Sequence, residues 1–526
     1  MTSAANIIRL VITWVAVVLT ALVVVYFLAT PDYFSSLGVI ILIFGVSVLP
    51  IFLRWHQPLL IGGWNLFIVL TFLPGQPRLA ILLTAISVVC SVLALTVDRK
   101  AGFQNDMSLT LPLLALVAVL LITSKIRGGI GLSSLGGGNS GGKHIVWIIF
   151  GVAAYFAFSA KKLPVRWRSP VLIGYFLGGL TAVVPNIAYS AGPAFYWLFI
   201  FFPVDAAIYQ ASADMYTNGI ARFTGIGSAA LAIYFFSLAR FGWRGHLEGS
   251  HPIRGFVLLL AFSISLLGGF RSSFTLCLMV SCFLFFLEGL HKTKWLAIFG
   301  FGGAFVLAAL VFFAGSLPEG MQRSLSVLPF VQVDASVRSD AEGSSDWRLR
   351  MWQLIWPQVP QYFWLGKGHS IDQTDLYLSG LARERGFGTD SELAMISGDY
   401  HSGPLSLIIP LGIFGVLAFL AFAFGAFRMM IHNYRHGLSE LRAINAFLLA
   451  YFAALFVSFW TIFGGFSTDI ATFASLAGLS MALNGVPSYR SKSPGLRDSD
   501  DKTQRPSREP SVPRHVPDEA LPQSIQ

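Results

Sequence analysis

Apolar stretches long enough to cross a membrane recur along this chain, separated by short polar connections. Candidate spans run near 7–29, 37–53, 58–73, 78–97, 108–123, 145–160 and 171–189. They continue near 226–241, 254–270, 272–290, 295–314, 404–427, 444–463 and 468–485. A helix needs about 20 apolar residues to cross a hydrocarbon core about 30 Å thick. The pattern therefore predicts an all-α polytopic membrane protein with about 12–14 transmembrane helices, the shorter stretches being candidates for re-entrant segments. The segment AGPAFYWLFIFFPVDAA (191–207) is apolar but bracketed by Pro and Asp, and is expected at the interface rather than across the membrane.

Two polar regions interrupt this pattern and set the expected organisation. Residues 1–314 form an N-terminal transmembrane bundle of about 11 spans, 315–403 one large extracytoplasmic loop with interfacial helices, and 404–487 the C-terminal transmembrane helices. Residues 488–526 are polar and Pro-rich and read as a disordered cytoplasmic tail. The first apolar run is too long for a signal-peptide core and lacks a clear small-residue cleavage site, so it reads as the first span.

Composition agrees: 55% of residues are hydrophobic, only 12% are charged, and the mean hydropathy is +0.68. With the N-terminus inside, the short inner segments carry about sixteen Lys and Arg residues and the short outer connections six. The positive-inside rule then places both termini in the cytoplasm and the 315–403 loop on the outer face. The net charge of +10 is spread thinly among loops, without the basic face that a nucleic-acid reader needs. Cys90, Cys277 and Cys282 fall in apolar runs and form no metal-ligand cluster. Most candidate spans lack an acid or base near their midpoint, unlike proton-coupled transporters. Chemistry is therefore expected at the outer water edge, where His144, His369 and His401 are placed.

Four stretches carry candidate chemistry. The glycine-rich GGIGLSSLGGGNSGGKH (128–144) fails as a phosphate-binding loop, because no strand precedes it and His follows Lys143. LLGGFRSSFTLCLMV (266–280) puts Arg271 at a tight hairpin between two spans. It is either a snorkelling interfacial cation or an anion clamp, since the guanidinium fork matches phosphate oxygens. SDWRLRMWQLIWPQVPQYFWLGKGHS (345–370) is aromatic-rich and amphipathic, with Arg348 and Arg350 beside Trp347, Trp352, Trp356 and Trp364. Taken alone it reads as a helix along the headgroups. GDYHSGPLSLIIPLGIFG (398–415) sets Asp399, Tyr400 and His401 just ahead of a span whose Pro404 suits a first helical turn.

In order and spacing, these stretches resemble the O-antigen ligase and O-antigen polymerase family of bacterial membrane glycosyltransferases. The resemblance runs from about Arg222 to Arg428. NGIARFTGIGSAALAIYF (218–235) looks like the family's Arg-Gly segment at Arg222 and Gly225, and GGFRSSFTL matches its Arg hairpin at Arg271. RLRMWQLIW is similar to its Arg-x-x-x-Trp signature at Arg348 and Trp352, and WLGKG to its Leu-Gly-x-Gly turn at Gly366 and Gly368. HSGPLSLIIPLGIFG matches its His-led segment at His401, Leu411, Gly412 and Gly415. Ser402 stands where the family usually has Asn, and Trp364 where Pro often precedes the turn.

The resemblance implies a membrane-glycosyltransferase fold and no metal or other cofactor. The implied reaction transfers or polymerises an oligosaccharide from an undecaprenyl-pyrophosphate carrier. The acceptor hydroxyl belongs to a glycan, lipid A core or a protein. The loop lacks a DxD-type motif, so arginines are the available counter-charge for a pyrophosphate leaving group, and Arg222, Arg271 and Arg348 are expected to supply it. His401 is expected to be the general base, with inversion at the anomeric carbon. Arg350, His369 and Asp399 are possible auxiliaries. A multi-pass transporter of a small anion, using the same arginines, is the competing reading.

Overall fold

A computed structural model describes residues 53–71, 76–97, 104–127, 139–203, 222–328, 330–385, 395–396 and 398–487, together with residue 25. The expected spans near 7–29 and 37–53 and the tail from 488 onward lie almost wholly outside these residues.

Among the described residues, eight helices are long and apolar enough to cross a membrane. They are Met107–Ile126, Gly142–Ser159, Val165–Ala191, Thr224–Leu247, Trp295–Ser316, Gly403–His436, Ser439–Thr461 and Phe466–Asn484. Three shorter apolar helices, Leu79–Ala94, Pro252–Gly268 and Arg271–Leu287, fall on further expected spans. The molecule is thus an all-α polytopic membrane protein. Its one strand pairing among the described residues is a two-residue antiparallel ribbon, Asn139–Ser140 against Ile371–Asp372.

The stretch expected to span at 58–73 does not run as one helix. Residues 53–63 are helical, and then the chain extends and turns back, with Val69 bridged to Arg78. Gly62 and Gly63 weaken the helix at this point. The freed backbone groups find other partners: Val69 N–H donates to Phe201 O at 2.9 Å and Leu70 N–H to Pro77 O at 2.9 Å. Apolar non-helical backbone is tolerated at membrane depth only when protein satisfies it in this way.

Small residues let the bundle pack closely. A Cβ on Gly478 would lie 2.6 Å from Phe158 Cβ, and one on Gly151 would lie 3.0 Å from the backbone of Ala471. The helices Gly142–Ser159 and Phe466–Asn484 are thereby joined along their length, which is how membrane helices gain dispersion contacts without a hydrophobic drive. Phe419, Phe452, Phe459, Phe466 and Phe473 fill the adjoining core. By contrast, Trp295–Phe313 buries none of its residues, and Phe301 and Phe312 are each 80% exposed. Such an all-apolar surface suits lipid as its solvent.

The long helix Gly403–His436 is broken inside. Gly412 has φ +65°, and the turn Trp364–Gly368 docks into the break. Ile413 N–H leaves the helix ladder and donates to Phe363 O at 2.7 Å. Ile409 O and Pro410 O accept instead from Lys367 N–H at 2.7 Å and Gly368 N–H at 3.0 Å. The Leu-Gly-x-Gly turn and the Leu-Gly-x-x-Gly helix are therefore backbone partners. Between the spans, Glu319–Leu325 and Ala335–Ile355 form helices, and Leu325 packs with Leu266 and Phe274.

Candidate functional site

Arginine chemistry gathers where three separate segments meet. Arg222 precedes the helix beginning at Thr224, Arg271 opens the helix Arg271–Leu287 after the left-handed turn at Gly269, and Arg348 lies on Ala335–Ile355. Arg323, on the short helix Glu319–Leu325, completes the group and is almost fully buried. Asp340 ties it together: it accepts from Arg323 Nε and from Arg222 Nη2, the latter at 3.2–3.3 Å. Arg323 Nη1 also donates to Gly269 O at 2.6 Å, and Arg271 Nη2 to Ser345 Oγ at 2.9 Å.

These charges face a cavity of about 160 Å³, lined by Phe270, Arg271, Ser272, Arg323, Ser345 and Arg348 among others. Arg222 does not border it and instead backs it through Asp340. Burial pushes the Arg222 guanidinium below its usual range, with Arg323 adding to the effect and Asp340 opposing it. Arg348 is lowered by burial and then by the charges of Arg271 and Arg323. Guanidinium stays protonated under such shifts, so the cluster gathers four cations, two of them, Arg222 and Arg323, bonded to Asp340. The first turn of the Arg271 helix adds N–H groups and the positive end of its dipole. The arrangement can bind a polyanion.

His401 and Arg348 meet at the Phe463 ring. Arg348 Cζ lies 5.5 Å from the centroid of the Phe463 ring, and the His401 ring lies 5.4 Å from it. Trp347, one residue before Arg348, packs edge-on against His401 at 5.2 Å. Trp352 Nε1 donates to Tyr400 O at 2.9 Å, and Tyr400 is buried with Met351, Ile355, Leu405 and Ile409. Trp347 and Trp352 therefore hold the histidine segment, while Trp356 and Trp364 remain exposed as a headgroup-facing helix would have them.

His401 has φ +47°, a left-handed conformation uncommon for a residue with a Cβ. Such strain persists only where the surroundings enforce it. Its Nε2 is 3.6 Å from Asp399 Oδ2, an ion-pair distance too long for a hydrogen bond. Its Nδ1 is shielded and has no hydrogen-bond partner among the described residues. Burial lowers the His401 pKa, the Asp399 charge opposes this and the Arg348 charge adds to it, so the neutral imidazole is favoured.

A cavity of about 450 Å³ opens from His401 toward Lys143, His144, Trp147, His369 and Ser467. His144 Nδ1 lies 3.0 Å from Ser467 Oγ, and its ring stacks on His369 at 5.5 Å. Burial, and then His144, push His369 down to about 3. Asp399 and His369 thus share the cavity of His401. Arg350 does not join either group: it lies exposed, two residues from Arg348 on the same helix. Arg323 and Asp340 were not anticipated from the sequence. No group of three or more His, Cys, Asp or Glu residues able to hold a metal occurs among the described residues.

Residues 255–420 match the family model described as O-antigen ligase, which supports assigning the chain to that family. The match includes Arg271, Arg323, Asp340, Arg348, His401 and both partners of the Gly366–Gly412 junction, and leaves Arg222 outside. No curated protein matches the chain.

Proposed function

With residues 255–420 taken as an O-antigen ligase region, we propose that this protein moves an oligosaccharide from an undecaprenyl-pyrophosphate carrier onto an acceptor hydroxyl. The reaction occurs at the outer face of a bacterial cytoplasmic membrane, with both termini inside and the 315–403 segment outside, during surface-polysaccharide assembly. One observation carries this reading: Arg348, which lines the cation-rich cavity, and the strained His401 meet the same aromatic ring, at 5.5 Å and 5.4 Å from the Phe463 centroid.

Arg271, Arg323 and Arg348 hold the pyrophosphate, and Arg222 holds Asp340 behind them. The acceptor oxygen attacks the anomeric carbon on the face opposite the pyrophosphate. As the new C–O bond forms, the bond to the phosphate oxygen breaks and its electron pair stays with the departing pyrophosphate. Preplaced guanidinium donors stabilise that developing charge. His401 takes the acceptor proton, with Nε2 as the nitrogen beside water and the exposed Asp399. The products are an inverted glycoside and the carrier pyrophosphate, and the proton leaves His401 to solvent.

The test is purified protein with a lipid-pyrophosphate glycan and a glycan acceptor, with and without chelator. Transfer is expected to persist with chelator. His401→Ala is expected to insert normally and lose transfer by about 10²- to 10⁴-fold, the usual contribution of a general base. Full activity in that variant sinks the assignment of the base. Anion uptake into vesicles with no glycan transfer would favour a transporter.

A further inference from the structure

The cavity that holds His401 is bordered by none of Arg271, Arg323 and Arg348. Trp147, Ser467 and Thr468 line it and also line a second cavity of about 200 Å³, which residues within 64–69 and 78–84 border together with the helix Gly142–Ser159. The Trp147 ring is flanked by two cations, Lys143 Nζ at 5.2 Å and Arg78 Cζ at 5.8 Å from its centroid. Neither cation has a carboxylate partner among the described residues, and no described residue lining the second cavity is acidic. Asn65, Thr468 and Thr472 add a polar rim.

An indole face suits the apolar C–H face of a pyranose, and its rigid ring costs little ordering entropy on binding. Cations beside that face select for a negative group on the same sugar. The position also fits the geometry of displacement. A nucleophile must approach opposite the leaving group, and the cavity shared by Trp147 and His401 is separate from the one that Arg271, Arg323 and Arg348 line. A sugar on Trp147 therefore shares the cavity of His401 without occupying that of the arginines.

We propose that Trp147, Lys143 and Arg78 form an acceptor subsite for a sugar ring bearing a carboxylate or phosphate. This rests on the transfer reading for its role as acceptor site, but its ligand chemistry can be tested without turnover.

The experiment is saturation-transfer NMR on the detergent-solubilised full chain without donor. Methyl glucuronide and glucose 6-phosphate are compared with neutral methyl glucoside and with glycerol 1-phosphate, a phospholipid-headgroup mimic. At least one anionic sugar is expected to bind more tightly than the other two probes, and their order identifies the anionic group. Arg78→Gln and Lys143→Gln are each expected to weaken it about tenfold, the scale of one charge-assisted contact, with both variants checked for an unchanged elution profile. Equal binding of methyl glucoside, or no loss in either variant, overturns the proposal. Glycerol 1-phosphate binding as tightly as the sugars also overturns it, marking a lipid headgroup site. Because no donor is present, a negative result here is separate from a failure of glycan transfer.

Discussion

Arg348 and His401 meet the same ring. The guanidinium carbon of one lies 5.5 Å, and the imidazole of the other 5.4 Å, from the centroid of Phe463. A permanent cation is thus held near a titratable ring, both against one aromatic side chain, and Asp399 Oδ2 lies 3.6 Å from the imidazole Nε2. The charges of Arg348 and Asp399 act on His401 in opposite senses.

That opposition gives a pH signature. A neutral imidazole is the working form of a base, so turnover falls as pH drops through the His401 pKa. Arg348→Gln removes a charge that lowers this pKa, so the acid limb of kcat should move to higher pH. Asp399→Asn removes a charge that raises it, so the limb should move to lower pH. The profiles are measured at saturating donor, because Arg348 also faces the anion cavity. Shifts in the same direction, or none in either variant, would show that the limb reports another group.

Arg323 and Asp340 should be energetically coupled. Arg323 is buried and its Nε bonds Asp340, whose carboxylate remains 37% exposed. Removing either partner leaves a charge short of its counter-ion, at a cost of about 1–3 kcal/mol once exposure of the aspartate is allowed for. The double variant Arg323→Ala, Asp340→Ala should then cost less than the sum of the single changes by about 1–2 kcal/mol. Unfolding in mixed micelles measures the cycle. Additivity would mean that the pair is not what positions Arg222 and Arg323.

The sequence pattern reveals the spans because a run of about 20 apolar residues carries its own signal. It is less informative at 58–73, where a hydropathy window scores a buried hairpin and a helix alike. Residues 62–65, Gly-Gly-Trp-Asn, are the local warning there. Of the arginine cluster, Arg222, Arg271 and Arg348 stand out beside spans or family motifs. Arg323 and Asp340 lie on two helices of the long polar segment, and only tertiary folding joins them. Arg350 stands apart from Arg348, since residues i and i+2 of a helix do not share a face. The roles of Trp347 and Trp352 were equally hidden, because aromatic periodicity does not distinguish lipid from protein as the covered surface.

The junction between the turn and the broken helix yields the last prediction. Gly412 has φ +65°, and a Cβ there would lie 2.4 Å from Trp364 O; on Gly366, with φ +72°, it would lie 2.2 Å from Pro410 O. Both positions combine a left-handed backbone with contact against main-chain atoms that are themselves hydrogen-bonded. Neither strain can relax without opening the bonds from Lys367 to Ile409 and from Gly368 to Pro410. Gly412→Ala and Gly366→Ala should each destabilise the protein by more than about 2 kcal/mol. Gly302→Ala is the control: it lies on the lipid-exposed helix with nothing within 4 Å of the added carbon, and should change stability by no more than about 0.5 kcal/mol. Thermal unfolding in detergent compares the three. Because the same junction anchors the start of the helix that follows His401, both destabilised variants should lose transfer at temperatures where they remain folded. Wild-type transfer in a folded Gly412→Ala protein would show that His401 is positioned by Trp347 and Trp352 alone.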